Sequence, residues 1–259
     1  MCFKRKPPII PIIGNKVALL FGINNYPGSS NDLNGCLNDI ADVEKKLNEL
    51  YPSEWSIKKF SDSQVTRSVF RNEIKNQIVS MISGQILLIH YSGHGSNVQD
   101  QNYDEADGYD ETLYLYDGNF TDDEFNSILQ LIPEGIKVII ALDSCFSGSA
   151  TRLYSETYQK AKYIPNPDIK SFKRRKKYLK SDSMKWVVFS GCQENQTSAD
   201  AFINNRYNGA FTWAWLKSMD KAISYNSWSL STALKLTPQF EQIPTIEGNE
   251  TLRKEIIFT

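Results

Sequence analysis

The stretch QILLIHYSGHGS, residues 85–96, decides how this chain reads. Its first half is a short, nearly continuous apolar run ending in a glycine turn, the pattern of a strand buried on both faces of a sheet. Its second half brackets His94 between Gly93 and Gly95, so the backbone can turn tightly there and leave an N–H free to face a ligand carbonyl. Both histidines of the 259-residue chain lie in this stretch. His90, inside the apolar run, reads as a hydrogen-bonded core histidine. His94, released from the run by two glycines, reads as a proton-transfer group, because imidazole titrates near neutrality without help.

Three more runs have the same character: KVALLFGI (16–23), KVIIALDS (137–144) and KWVVFSGC (185–192). Between them, NGCLNDIADVEKKLNEL (34–50) and TRSVFRNEIKNQIVSMI (66–82) place apolar residues at helical spacing, with Asn34 and Thr66 as candidate caps. Weaker helical patterns cover 121–131, 209–223 and 229–236. The alternation predicts an α/β fold with a mostly parallel central sheet and helices on both faces. Such sheets bind ligands at the carboxyl ends of their strands. Two of the runs end in chemically rich turns there, YSGHGS and DSCFSGS.

Bulk properties narrow the class. A net charge of −1 and 41% hydrophobic residues suit one sizeable globular domain without global attraction to nucleic acid or anionic membrane. The start, MCFKRKPPIIPIIGNK, is too short in apolar residues and too rich in proline for a signal sequence or a span, so residues 1–15 read as a loose leader before a domain over 16–259. Cys2, Cys36, Cys145 and Cys192 are scattered without C-x-x-C spacing, which suits a reducing, cytoplasmic compartment and no zinc site. We expect a monomer that binds neither membrane nor nucleic acid.

Charge is sorted along the chain. Gly95 to Ile136 carries eleven acids and no Lys or Arg, whereas Tyr158 to Lys185 carries ten basic residues against Asp168 and Asp182. The basic stretch lacks an apolar period and reads as an exposed loop over 153–184, between a first part (16–152) and a second (185–259).

A cysteine nucleophile needs a base to take its proton and donors to hold the oxyanion. Cys145 ends a buried strand and enters a small-residue turn, and His94 is the complementary base. The N–H groups of Gly95 and Cys145 are then the candidate oxyanion donors. A buried structural thiol is the bland alternative for Cys145.

YSGHGS, DGYDET and ALDSCFSG, in that order, resemble the caspase-like cysteine peptidases of the C14 type, the metacaspases in particular. The 51-residue separation of His94 and Cys145 agrees with the spacing of about 50 in caspases. ALLFGINNYPGSSNDLNGCLNDI, FSGCQENQTSADA and NGAFTWAWL resemble the flanking segments of that family, so the likeness runs from about Lys16 to the C-terminus. It implies the caspase-hemoglobinase-like fold and a cysteine endopeptidase whose chemistry needs no cofactor, acting on protein or peptide substrates with Arg or Lys before the cut (P1). It implies a P1 pocket (S1) of Cys36, Asp39, Ser92 and Asp143, a donor set suited to a buried cation.

The resemblance also points to Asp110, Asp122 and Asp123 as ligands of an activating calcium ion, although Arg152 stands where a further acidic ligand is expected. The basic run Lys173, Arg174, Arg175, Lys176, Lys177 and Lys180 would be a self-cleavage region for an Arg/Lys-specific enzyme. No third residue that would orient His94 is evident, so the expected catalytic unit is a dyad. Two other readings stay open: a catalytically silent caspase-fold scaffold, and a calcium- or nucleic-acid-binding module using the charged blocks.

Overall fold

The structure, a computed structural model, describes residues 15–99, 109–145, 159–165, 184–193 and 196–259. Its centre is a six-stranded sheet. In chain order its strands are β1 (Lys16–Gly22), β2 (Trp55–Ser61), β3 (Ile86–Ser92), β7 (Lys137–Asp143), β9 (Trp186–Ser190) and β12 (Thr245–Gly248). They lie in the order β12, β9, β7, β3, β1, β2, parallel throughout except for the edge strand β12. All four apolar runs are therefore strands of this sheet. β2 escapes the same reading because its sequence, WSIKKFS, is that of an edge strand with one face in water.

Side-chain alternation along each strand feeds two cores. Ala18, Leu20, Leu88, Ile139 and Val187 face one; Val17, Leu19, Phe21, Leu87, Ile89, Val138 and Ile140 face the other. Helices α1 (Cys36–Leu50), α4 (Ala210–Ser218), α5 (Tyr225–Leu236) and α6 (Glu250–Lys254) contribute to the first core. There Trp215 stacks on Trp228 with centroids 4.2 Å apart. Helices α2 (Arg67–Ser80) and α3 (Asp122–Leu129) cover the second through Phe70, Ile74, Phe125 and Ile128. Each fully buried side chain of this size stabilises the fold by about 1.5–3 kcal/mol.

Helix ends follow local chemistry. Thr66 caps α2 by accepting from Val69 N–H, and Thr121 with Glu124 forms a capping box on α3. Asn34 does not cap α1. Gly35 occupies that position, and the Asn24 side chain, arriving from the turn after β1, accepts from Cys36 N–H at 2.8 Å. The weaker helical patterns shift as well: α4 ends at Ser218, and α5 starts earlier than expected, at Tyr225, where Ser224 caps it.

Two small sheets lie outside the sequence prediction. One joins β4 (Gly95–Gln99), β5 (Tyr109–Leu115) and β6 (Gly118–Thr121); the other joins β11 (Arg206–Gly209), β10 (Ala199–Ile203) and β8 (Gln159–Ala161).

His90 is a core residue, as its position implied. It is fully buried, and its Nε2 lies 3.1 Å from the Thr212 hydroxyl. That hydroxyl already donates to Asp143, so it must accept from Nε2–H. Burial lowers the pKa of His90 to about 3. A histidine whose native pKa lies below its unfolded value of about 6.5 makes stability fall as the pH drops below 6.5. Between pH 7 and pH 5 this one residue should remove about 2 kcal/mol of stability. Urea unfolding at the two pH values, compared between the native chain and His90→Asn, should show the pH-dependent loss shrink by that amount in the variant.

Candidate functional site

The site is set by strand register. β3 and β7 are hydrogen-bonded neighbours with Ser92 opposite Asp143. His94 and Cys145 each lie two residues beyond these partners, so they emerge at the same level on adjacent strands, where the chain leaves the sheet. The tight turn is obligatory: a Cβ on Gly95 would overlap the Cys145 carbonyl oxygen, and one on Gly93 would overlap the hydroxyls of Tyr91 and Tyr26.

His94 is held on several sides. Its N–H donates to the Tyr26 hydroxyl at 2.9 Å, and Tyr91 Oη donates to its carbonyl at 2.8 Å. Its Nε2 lies 2.7 Å from the carbonyl oxygen of Asn31. A carbonyl can only accept, so Nε2 carries the proton and the lone pair sits on Nδ1. Nδ1 is buried with no hydrogen-bond partner among the described residues. The expectation that nothing orients His94 is thus corrected: a main-chain carbonyl fixes its tautomer, a role without sequence signal.

The Cys145 sulfur is fully buried against Ser198, accepting from its N–H and donating to its carbonyl. Burial, and then the neighbouring Cys192 thiol, raise its pKa well above the usual range, while burial lowers that of His94 to about 4, aided by the Lys162 and Lys160 cations. The pair rests as thiol and neutral imidazole.

One residue that the sequence reading did not single out occupies the centre. The carbonyl oxygen of Lys162 accepts from Gly95 N–H at 3.0 Å and from Cys145 N–H at 3.1 Å, the two donors expected to form an oxyanion hole. Its ammonium enters a buried cluster: Nζ lies 2.8 Å from Ser92 Oγ, 3.1 Å from Asp143 Oδ1 and 3.3 Å from Asp39 Oδ2. Lys162, Asp39 and Asp143 are all fully buried. Ser92 donates to Asp39 at 2.7 Å, and Asp39 also accepts from Gly209 N–H and the Asn208 amide. Asp143 accepts from Ser198 Oγ and from the N–H and hydroxyl of Thr212.

Burial raises the pKa of Asp39 to about 6 against the opposing pull of Lys162. For Asp143 burial acts in the same sense, but Lys162 and the Ser198 and Thr212 donors outweigh it and hold the carboxyl below its ordinary value. Burial alone would depress the pKa of Lys162; the Asp143 charge and its neighbours override this and raise it. Cys36 completes the surround as a buried thiol against Ser92, its pKa pushed up by burial.

All four residues expected for a basic-residue pocket therefore converge on one lysine of the chain itself. Ser198, Thr212 and Gly209, which support the two carboxylates, went unnoticed, since small polar residues and glycine carry no distinctive pattern. The expected calcium ligands are less gathered. Asp110 lies on β5, and Asp122 and Asp123 open α3, where acidic side chains suit the helix dipole. Among the described residues no three His, Cys, Asp or Glu side chains come together to hold a metal ion. Arg152 and the run from Lys173 to Lys180 lie outside the described residues. No helix among the described residues is long and apolar enough to cross a membrane.

A glycine-flanked histidine and a cysteine, at the carboxyl ends of neighbouring parallel strands and beside two convergent N–H donors, define a cysteine hydrolase of caspase-like architecture. The family model of the caspase domain, Peptidase_C14, matches residues 15–256, and the chain belongs to that family of cysteine peptidases. It is 28% identical to Metacaspase-1 of Meyerozyma guilliermondii, over 95% of this chain and 72% of that protein. It is equally identical to Metacaspase-1B of Aspergillus terreus, over 95% and 78%. Among solved structures, protein GSU0716 from Geobacter sulfurreducens superimposes with a TM-score of 0.74 at 26% identity, covering 94% of this chain and 98% of that one. Caspase-1 from Spodoptera frugiperda shares the fold, with a TM-score of 0.62 at 14% identity over 91% and 89%.

Removing the Lys162 charge leaves two buried carboxylates without their cation, a loss of about 3–5 kcal/mol for a broken buried pair. Lys162→Met should therefore release residues 159–164 from the site. Hydrogen-exchange mass spectrometry should show these residues losing protection while β3 and β7 keep theirs.

Proposed function

We propose that the protein is an endopeptidase cleaving after Lys or Arg, with Cys145 as nucleophile and His94 as base, and that its first substrate is its own Lys162–Tyr163 bond. The observation that carries this reading is the pose of Lys162, with its carbonyl oxygen between two N–H donors beside the cysteine and its ammonium between two carboxylates. The unprimed residues of this segment, those before the cut, run as β8, antiparallel to β10, and Lys162 N–H donates to the Ser198 carbonyl at 3.0 Å. This is the way an extended peptide adds to a sheet edge.

In the proposed reaction His94 Nδ1 takes the Cys145 proton, and the sulfur adds to the Lys162 carbonyl carbon. The oxyanion is held by Gly95 and Cys145 N–H. His94 then gives the proton to the Tyr163 nitrogen as the C–N bond breaks. Water, deprotonated by His94, finally displaces the sulfur from the thioester, leaving a carboxylate at Lys162. Asp39, Asp143 and Ser92, with Cys36 alongside, form the pocket. Arg fits the same chemistry, because two carboxylates can receive its forked guanidinium.

Self-processing thus moves from the expected run at Lys173 to Lys180 to a bond that the site already holds.

Intact-mass analysis of purified protein should find fragments 1–162 and 163–259. Cys145→Ala should abolish both this cut and the hydrolysis of Lys- and Arg-ended reporter peptides while leaving the fold intact. A first cut elsewhere would overturn the bond assignment, and turnover by Cys145→Ala would overturn the mechanism.

A further inference from the structure

The segment in the site continues past the scissile bond, and what it meets there belongs to neither the dyad nor the lysine pocket. At Tyr163 it leaves β10 and comes alongside β4, with Tyr163 bridged in parallel to Gly95. Ile164 N–H donates to the Gly95 carbonyl at 2.9 Å, and Ser96 Oγ donates to the Ile164 carbonyl at 2.7 Å. The Tyr163 hydroxyl donates to Asn97 Oδ1 at 3.2 Å. Ser96 and Asn97 are 2% and 1% exposed, so both are buried beneath this segment's path rather than open to solvent.

We propose that β4 is the primed-side reading strand of this peptidase, with Gly95 and Ser96 binding the backbone of the second residue after the cut and Asn97 selecting tyrosine as the first. The proposal rests on the peptidase reading above and adds a second half to the substrate site. Two observations carry it. Among the described residues β4 is the edge strand of its sheet, with β5 on its other side, so the edge that Tyr163 and Ile164 contact can take one extended peptide. The three contacts also divide by type. Those to Ile164 involve only its main chain and are indifferent to sequence, whereas the contact to Tyr163 goes to a phenol oxygen, which phenylalanine and alanine lack. The site therefore fits peptides of the form Lys/Arg–Tyr–X, with at least two residues beyond the cut.

The test uses self-cleaved protein and internally quenched peptides spanning Gln159 to Pro165, with Tyr, Phe or Ala after the lysine. A Lys-aminocoumarin reporter, which has no residues beyond the cut, reads the chemistry alone. Tyr should exceed Phe in kcat/KM by about threefold to tenfold, the size of one hydrogen bond between neutral groups. In Asn97→Ala the Tyr-to-Phe ratio should fall to about 1. Because the ratio compares two substrates on one enzyme, partial misfolding of the variant does not affect it. If the reporter is hydrolysed but Tyr and Phe are cut equally, or the preference survives in Asn97→Ala, the primed-side proposal is wrong and the peptidase reading stands. If neither reporter nor peptides are hydrolysed, both fall.

Discussion

The arrangement of this molecule turns on three charges removed from water together: Asp39, Asp143 and Lys162, all fully buried. Burying an isolated carboxylate costs far more than any one contact returns, so such groups persist only when paired and surrounded by donors. Ser92, Ser198, Thr212, Asn208 and Gly209 are those donors. They come from β3, the approach to β10, α4 and β11, so the charge cluster ties the central sheet to the smaller one. Gly209 shows how tightly the space is used: a Cβ there would overlap both carboxylates and the ammonium. Two carboxylates against one ammonium leave the pocket net negative. A cation of some kind is therefore favoured there whether or not it comes from this chain.

The sequence carried the large elements clearly and the small ones poorly, for a physical reason. β1, β3, β7 and β9 are buried on both faces, and composition alone marks them. The β4–β5–β6 and β8–β10–β11 sheets are three-stranded, with strands such as GSNVQ and QKA whose pairing is decided by what lies alongside. Cys36, Asp39, Ser92 and Asp143 were found as a set because a family resemblance linked positions that no local pattern connects. Lys162 was missed because it is one of ten basic residues between Tyr158 and Lys185, and nothing in the sequence separates it from the denser run that follows. The distinguishing fact is its register against β10, which is tertiary.

Register also explains how the dyad can be read from spacing. The separation of 51 positions from Ser92 to Asp143, paired across β3 and β7, is also the separation from His94 to Cys145. Any insertion between the two strands that left this pairing intact would leave His94 and Cys145 at the same level. A one-residue slip of β7 would instead carry Cys145 away from His94 and invert the inward and outward faces of the strand.

The occupying segment bears on the charge states of His94 and Cys145 as well as on their burial. With it in place, His94 is driven towards the neutral form by burial and by two cations, Lys162 and Lys160, that the segment itself brings, while burial keeps Cys145 a thiol. A thiolate–imidazolium pair is most disfavoured in this state. Departure of the segment would readmit water, which favours both charged forms, and would take away the two cations, which favours the imidazolium alone. The same segment that satisfies the buried carboxylates therefore covers Cys145 as a thiol beside a neutral His94.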